Sequence, residues 1–380
     1  MKKILLVSSL YPTEQSPGYG IFVKNCERGL IENGFKVDKA VIARTPSNIL
    51  YKAALYLLFY FDILFKGFFS GSDLIYAHFI SHSCLPLYLI SLFGKVKIAV
   101  NIHGGDILPE GRLHKLAHRL FLKRLIAETL QKADLIITPS REYKRIAIER
   151  YGARRDKIFV SPSGGVKPET FAPADKKQCR KTLGIGENDF VAGYVSRLEE
   201  SKGCGVLAEA AGIVKKSGGV GGITYMVVGN GSMRKNLDEA TAGYGLEKEI
   251  IRFEKAEQEK LRYYYSAMDV FIFPTLKESL GLVGIEAMAC GVPVIGSRLG
   301  ALGEYIIEGR TGFFFNPGDA EDLASKIKSY YRLGPELRSK ISDNAIKMAA
   351  NFDSAAVACK LSQKFKQMLE AETNEKRRSE

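Results

Sequence analysis

The segment that most constrains this chain begins where an apolar run, Val270 to Phe273, halts at Pro274. It continues as Thr275-Leu276-Lys277-Glu278-Ser279-Leu280-Gly281-Leu282-Val283-Gly284-Ile285-Glu286-Ala287-Met288-Ala289-Cys290-Gly291-Val292-Pro293. The run reads as a buried strand, the stretch around Glu278 as a loop, and the rest as a short apolar helix. That helix opens near Leu282 and stops at Gly291, with Pro293 behind it. Glu286 falls one turn into the helix among Ile285, Ala287, Met288 and Ala289, where a carboxylate is costly unless something binds it. The free N–H groups of Gly281, Leu282 and Val283 at the helix start make a seat for a phosphate. Two carboxylates flanking an anion seat suit a ligand with hydroxyls at both ends and phosphates between them, the layout of a sugar nucleotide.

The rest of the chain alternates short β-branched runs with helix-period segments, which signals βαβ units and parallel sheets. Strands are expected at Ile4–Val7, Val37–Ile42, Leu74–Tyr76, Lys97–Asn101, Leu135–Thr138 and Ile158–Val160. Ser161-Pro162-Ser163-Gly164-Gly165-Val166-Lys167-Pro168 breaks the pattern and reads as a hinge. A second series follows at Phe190–Tyr194, Thr224–Val228, Ile250–Phe253, Val270–Phe273 and Val292–Gly296. The expected architecture is α/β, with two doubly wound domains, residues 1–165 and 166–354, facing a cleft. Residues 355–370 read as a helix, and Thr373 to Glu380 as a frayed end.

Several strand ends carry chemistry. Arg197 and Lys202, in Arg197-Leu198-Glu199-Glu200-Ser201-Lys202-Gly203, can converge on one anion. Ser16-Pro17-Gly18-Tyr19-Gly20 follows the first strand, and Gly20 lets backbone approach a ligand. The Gly18-x-Gly20 spacing lacks a third glycine, which disfavours a nicotinamide site. Asn101-Ile102-His103-Gly104-Gly105-Asp106 ends another strand, with Asp106 as a local orienter of His103. His78 and His82 flank a nearby loop and are weaker candidates. His114 and His118 share a helical face, but no third ligand follows at a suitable spacing, so no metal site is assigned. Val228-Gly229-Asn230-Gly231 closes another strand, with Gly229 shaping a base pocket, and Phe253 opens a segment suited to lie along a base.

Glu278 and Glu286, with seven residues between them, together with the early glycine loop, the His-Gly-Gly-Asp, the Arg-x4-Lys-Gly, the Val-Gly-Asn-Gly and the run Thr311-Gly312-Phe313 to Asn316-Pro317-Gly318-Asp319, resemble the retaining glycosyltransferases of the GT-B fold, the "glycosyl transferases group 1" or family four type. The resemblance covers nearly the whole chain in the expected order. It implies a metal-independent, retaining hexosyl transfer from a UDP- or GDP-linked sugar, with no cofactor besides that substrate. It implies that Arg197 and Lys202 bind the donor diphosphate, that Glu286 bonds the ribose, that Glu278 bonds the transferred sugar, and that His103 meets the sugar near its reacting carbon. Ser196 stands where a glycine is common in the family. The helix at 355–370 is expected to cross back onto the first domain. Two other readings compete: a GT-B sugar-nucleotide epimerase, whose acid/base residues are not placed in this sequence, and a non-catalytic sugar-nucleotide-binding protein.

The net charge of +13 calls for a partner. No nucleic-acid module is recognisable, which leaves an anionic membrane surface or a generally basic exterior. Arg112, Lys115, Arg119 and Lys123 fall on one helical face and are assigned to a membrane or lipid-linked acceptor. Leu50 to Phe69 is very apolar but interrupted by Lys52, Asp62 and Lys66, too short in its uninterrupted runs to span a bilayer. A buried or partly buried helix pair and an interfacial docking helix fit it equally. The six cysteines are scattered without a Cys-x-x-Cys pair, which fits a reducing cytoplasm, and the apolar core after Met1-Lys2-Lys3 is too short for a signal peptide. The chain is therefore expected to work at the cytoplasmic face of the membrane, on a growing surface glycan or glycolipid.

Overall fold

The computed structural model describes residues 1–13, 20–43, 48–108, 121–218, 220–254 and 256–379, with side chains described through residue 370. The chain divides into two compact units, one formed by Met1–Gly164 with Ser354–Glu380, the other by Gly165–Asp353. Each holds a six-stranded sheet whose pairings are all parallel.

In the first unit the strands are β1 (Lys3–Ser8), β2 (Lys36–Val41), β3 (Leu74–His78), β4 (Lys97–Asn101), β5 (Leu135–Thr138) and β6 (Ile158–Val160), in spatial order β2-β1-β3-β4-β5-β6. β1 and β3 are buried along nearly all their length, as continuous apolar runs in a sheet covered on both faces must be. Helices α1 (Ile21–Glu32), α2 (Ile49–Phe69), α3 (Ile80–Phe93) and α4 (Lys123–Lys132) connect the strands from β1 to β5 and supply cover. The helix Ser354–Ser379 belongs to this unit: Leu361, Phe365 and Leu369 enter a core with Ile4, Leu6 and Tyr76, and Gly29 of α1 admits the Ala358 methyl.

In the second unit the strands are β7 (Phe190–Val195), β8 (Ile223–Val228), β9 (Ile250–Phe253), β10 (Val270–Phe273), β11 (Val294–Ser297) and β12 (Gly312–Phe315), in spatial order β12-β11-β10-β7-β8-β9. The amide of Val166 donates to Phe352 O at 2.8 Å, tying the two ends of this unit together. Each chain path reverses direction across its sheet once, between β1 and β3 in the first unit and between β7 and β10 in the second. The loops leaving the carboxyl ends of strands at such a switch point diverge and leave room for a ligand.

Three elements depart from the sequence reading. β12 has no counterpart in it, because three consecutive phenylalanines after Gly312 show no alternation; the strand is pinned in register against β11. Leu50 to Phe69 forms one continuous helix, not a pair, since no residue in it breaks the hydrogen-bond ladder. The last helix runs on through Ser379, past the expected frayed point at Thr373, in a stretch rich in Glu, Lys and Arg, all good helix formers.

Candidate active site

The second unit's cluster is built by backbone stapling. Beyond β7, the segment Ser196 to Gly203 is held on one side by the loop after β8: Ser196 N donates to Val228 O at 3.1 Å and Leu198 N to Asn230 O at 3.0 Å. A Cβ on Gly229 would stand 1.9 Å from Ser196 O, and one on Gly231 2.4 Å from Leu198 O, so both glycines are required by this contact. On the other side, Leu276 N and Thr275 Oγ1 donate to Ser201 O at 2.8 and 3.2 Å. Gly203, at φ +70, sits so close to Pro274 that a Cβ would fall 1.9 Å from its carbonyl oxygen. The buried Tyr194 hydroxyl donates to the carbonyls of both Arg197 and Lys202, at 3.3 Å each, fixing the turn from within.

This stapling brings Lys202 and Glu278 together. Their Nζ and Oε2 atoms lie 2.9 Å apart, with side chains 20% and 15% exposed. Glu278 also accepts from the amide of Ser279 at 3.0 Å. Arg197 goes elsewhere: its guanidinium is 71% exposed and pairs with Glu199. The expected convergence of Arg197 and Lys202 is therefore not present in this arrangement. Each cation is held by its own carboxylate, Glu199 or Glu278.

The helix Leu282–Ala289 starts at Gly281, φ +83, and no side chain caps its first turn. The sequence reading assigns Gly281 to the phosphate seat. Sterically it answers to Phe273 and Tyr305, which a Cβ would meet at 2.6 and 2.9 Å. The Tyr305 hydroxyl donates to Gly281 O at 3.1 Å, so the helix entrance is fixed by a side chain to which no local pattern points. Leu282 and Val283 lie at this entrance. Glu286 is buried at 8% exposure, and its partner is the Tyr265 hydroxyl, which donates to Oε2 at 3.0 Å. Burial pushes the Glu286 carboxyl up to about 7, against the smaller lowering by Tyr265. The sequence offers no evident protein partner for Glu286; Tyr265 lies 21 residues away and carries no signal beyond its place in Tyr263-Tyr264-Tyr265. Phe253 is half-buried, packs its ring edge-on to Tyr264 at 5.0 Å, and offers its carbonyl to Gly229 N at 2.8 Å.

The first unit's cluster surrounds the β1/β3 switch point. β3 and β4 run in register with His78 opposite Asn101, which sets His103 just past the end of β4. His78 Nδ1 and His103 Nε2 are 2.8 Å apart. The rings are 14° from coplanar with centroids 5.0 Å apart, so they meet edge to edge through that hydrogen bond and are not stacked face to face. His78 is fully buried and its Nε2 has no partner among the described residues. Burial lowers both imidazoles, His103 to about 3. Phe22 and Phe79 close on His103 with centroids at 5.0 and 4.5 Å. Phe79 has φ 59, alone among the described non-glycine residues in the left-handed region, and strain of this kind collects at functional sites. Asp106 accepts from His103 N at 3.1 Å and Gly104 N at 2.7 Å, holding the loop that presents His103. Burial raises its carboxyl to about 6. His82, the other weaker candidate, bonds Ser9 Oγ through Nδ1 at 2.6 Å.

Gly20 has φ +75, and a Cβ there would meet Leu10 and Tyr11 backbone at 2.8 to 2.9 Å. Its glycine is required by the chain's own turn after β1. Gly18, Arg112, Lys115 and Arg119, with His114 and His118, lie outside the described residues; Lys123 opens α4 and is exposed. Among the described residues no group of three or more His, Cys, Asp or Glu is placed to hold a metal ion.

Residues 175–348 match the family model described as glycosyl transferases group 1, and residues 20–164 match that of glycosyltransferase family 4. The chain is 27% identical over 362 residues to D-inositol 3-phosphate glycosyltransferase 2 of Catenulispora acidiphila, a match spanning 92% of this chain and 81% of that protein. Its fold is similar to sucrose-phosphate synthase from Thermosynechococcus elongatus, with a TM-score of 0.81 at 21% identity over 98% of this chain and 100% of the other. It is also similar to Anabaena HepE in complex with UDP-glucose, with a TM-score of 0.73 at 20% identity over 97% and 100% of the two chains.

Proposed function

The chain belongs to the glycosyl transferases of group 1, and from that premise we propose a retaining, metal-independent hexosyl transfer from a UDP- or GDP-linked sugar to a glycan or lipid-linked acceptor in cell-surface polysaccharide or glycolipid synthesis. The observation that carries the donor assignment is the Lys202–Glu278 pair, held at 2.9 Å where β7 and β10 diverge beside an uncapped helix start. A diphosphate entering there meets the Lys202 ammonium, Arg197 once it leaves Glu199, and the N–H groups of Gly281, Leu282 and Val283. Glu278 then turns to the sugar hydroxyls and Glu286 to the ribose. Gly229 and Phe253 border the base, and the loop carrying Gly18 and Gly20 completes the donor contacts. The similar HepE protein was solved with UDP-glucose bound, which supports a uridine donor.

In the reaction the bond from the anomeric carbon to the diphosphate oxygen breaks and a bond to the acceptor oxygen forms on the same face. The acceptor proton passes to the leaving phosphate oxygen. Arg197, Lys202 and the helix N-terminus stabilise the departing charge, which is greatest in the transition state. His103, neutral because burial lowers it, meets the sugar near its reacting carbon. Two cationic side chains supply the charge a divalent ion supplies elsewhere, so none is required.

The setting we propose is cytoplasmic, peripheral at an anionic membrane face, with Arg112, Lys115, Arg119 and Lys123 toward a lipid-linked acceptor. No described helix is long and apolar enough to cross a membrane. A panel of nucleotide sugars, scored by thermal stabilisation and then by transfer, tests the reaction. Inversion at the anomeric carbon, read by proton NMR of the product, overturns retention. Activity abolished by chelator and restored by magnesium overturns metal independence. Epimer formation without transfer, or binding without turnover on any acceptor, favours the epimerase or the binding protein.

A further inference from the structure

Helix α2 leaves an unusual surface. Only Phe59 and Ile63 of its 21 residues are buried, while Leu50, Leu57, Leu58, Phe61, Phe65 and Phe69 are 80, 71, 66, 67, 55 and 75% exposed. Leu57, Phe61, Phe65 and Phe69 follow one another at four-residue spacing, Leu58 lies three before Phe61, and Leu50 lies seven before Leu57, which puts all six along one stripe. Phe61, Phe65 and Phe69 contact one another ring to ring, with centroids 6.1 and 5.5 Å apart. The neighbouring helix α3, packed on α2, has no Lys, Arg, Asp or Glu and ends in exposed Leu92 and Phe93. Isolated exposed apolar residues are ordinary, but a continuous stripe of this length marks a docking surface.

Charge decides what docks. Asp62 is the stripe helix's one acid, and it is paired with Lys66 at 3.0 Å. Lys95 just after α3 and Lys123 at the start of α4 carry the opposite sign. Among the described residues neither has an acidic partner. A second copy seated on the stripe through a two-fold contact would set these cations against their own images. An anionic bilayer offers the opposite sign, and its acyl boundary takes the leucines and phenylalanines.

We propose that α2 lies in the interface of an anionic bilayer, with Leu50, Leu57, Leu58, Phe61, Phe65 and Phe69 inserted among the acyl chains and Lys95 and Lys123 at the headgroups. This rests on the peripheral reading above and moves its anchor from a basic stripe to an apolar helix. Insertion adds a component that salt does not screen, whereas purely electrostatic docking is lost at high ionic strength.

The chain contains no tryptophan, so Phe61→Trp and Phe65→Trp each place a single emitter on the stripe, and Ile31→Trp on α1, at a 52% exposed position, serves as control. On titration with phosphatidylglycerol/phosphatidylcholine vesicles, the two stripe emitters are expected to shift to the blue and become protected from an aqueous quencher, and the control is expected to do neither. Co-sedimentation completes the test with L57Q/F61Q/F65Q/F69Q, whose changes are all at exposed positions and whose fold is checked by circular dichroism. Its vesicle partition is expected to fall at least about tenfold, including at high salt. Three results would overturn the proposal. If the quadruple variant binds like the wild type while K95Q/K123Q does not, peripheral association stands but the apolar anchor fails. If the wild type binds no vesicle, both fail. If light scattering shows a dimer that the quadruple variant abolishes, the stripe belongs to a second copy.

Discussion

The loops beyond β7 and β10 and those beyond β1, β3 and β4 occupy the same topological place in two sheets, yet they are made of opposite chemistry. The second unit's cluster is charged and stapled: an ion pair at 2.9 Å, backbone amides locked to facing carbonyls, and glycines without which the loops could not approach. The first unit's cluster is aromatic and built on uncharged imidazoles: His78 and His103 are both lowered by burial, Phe22 and Phe79 close on His103, and the Asp106 carboxyl, raised to about 6, is turned to backbone amides. In the reaction we propose, the diphosphate needs fixed cations and N–H groups, whereas the developing oxocarbenium ion is served by polarisable rings and a neutral histidine. The difference teaches that winding fixes where ligand loops emerge and residue type fixes what they can hold.

The sharpest way to break the comparison is at the glycines. Gly203→Ala would place a methyl 1.9 Å from Pro274 O at φ +70, and should cost about 4 kcal/mol of stability, near the upper end for single changes. Gly105→Ala, in the first unit's His-Gly-Gly-Asp, meets nothing within 4 Å among the described residues and should cost under about 0.5 kcal/mol. Urea denaturation of both variants measures this. Similar losses would mean the second cluster is no more tightly stapled than the first.

Glu286 comes next. Its carboxyl is raised from 4.5 to about 7 by burial, so the folded state favours the protonated acid. The associated stability is fully present below about pH 4.5 and lost as pH rises through about 7. The loss is on the order of 3 kcal/mol. Glu286→Gln does not titrate and should gain relative stability over the wild type across that range, followed by denaturant melts at about pH 5 and about pH 8.5. If the ionised carboxylate takes the ribose hydroxyls, wild-type affinity for UDP-glucose should rise through about pH 7 while the variant's stays flat. Parallel pH profiles by calorimetry would remove Glu286 from the donor site.

The Lys202–Glu278 pair should show a coupling of about 2 kcal/mol in a double-mutant cycle of Lys202→Met and Glu278→Gln, because each removal strands a mostly buried partner. Arg197–Glu199, with Arg197 71% exposed, should show a coupling near zero. In turnover the order reverses sense: Arg197→Ala should slow transfer with little effect on fold, and its rate should fall more than donor affinity does.

How much of this was legible in the sequence follows the same division. The second unit's strand-loop-helix could be read from Phe273 to Pro293 because its parts are neighbours in sequence, and the hydrophobic periods gave the strand order's raw material. Tyr265, Tyr305 and Tyr194, which hold Glu286, Gly281 and the Arg197–Lys202 turn, could not be read, since each acts on a residue that only folding brings near. β12 was hidden by its short unalternating Phe313-Phe314-Phe315. In the first unit, His103 was visible at a strand end, but its partner His78 was visible only as a neighbour of a loop. Parallel pairing of β3 with β4 makes them partners, and no local pattern encodes that register. The exposed face of α2 was equally unreadable, because apolar composition alone does not say which side a sheet covers.

The smallest expected effect is an absence of change, and it tests the neutral half of the comparison. Burial depresses both His78 and His103, so their folded pKa values lie below the ordinary 6.5, His103 at about 3. Such groups contribute stability that is present above about pH 6.5 and lost as pH falls toward the folded value. Between about pH 5.5 and 8 both rings should therefore stay neutral and hold one proton between Nδ1 of His78 and Nε2 of His103. Ring-nitrogen NMR of the histidine-labelled protein, with His78→Asn and His103→Asn for assignment, should show unprotonated-type and protonated-type nitrogens whose shifts do not move over this range. Replacing His78 with Asn should free the His103 ring to exchange tautomers and change the pH dependence of transfer more than the affinity for UDP-glucose. That split would not arise from a merely structural loss. A His103 resonance titrating near the ordinary 6.5 in the wild type would make the first cluster a charged site after all, and the contrast between the two units would collapse.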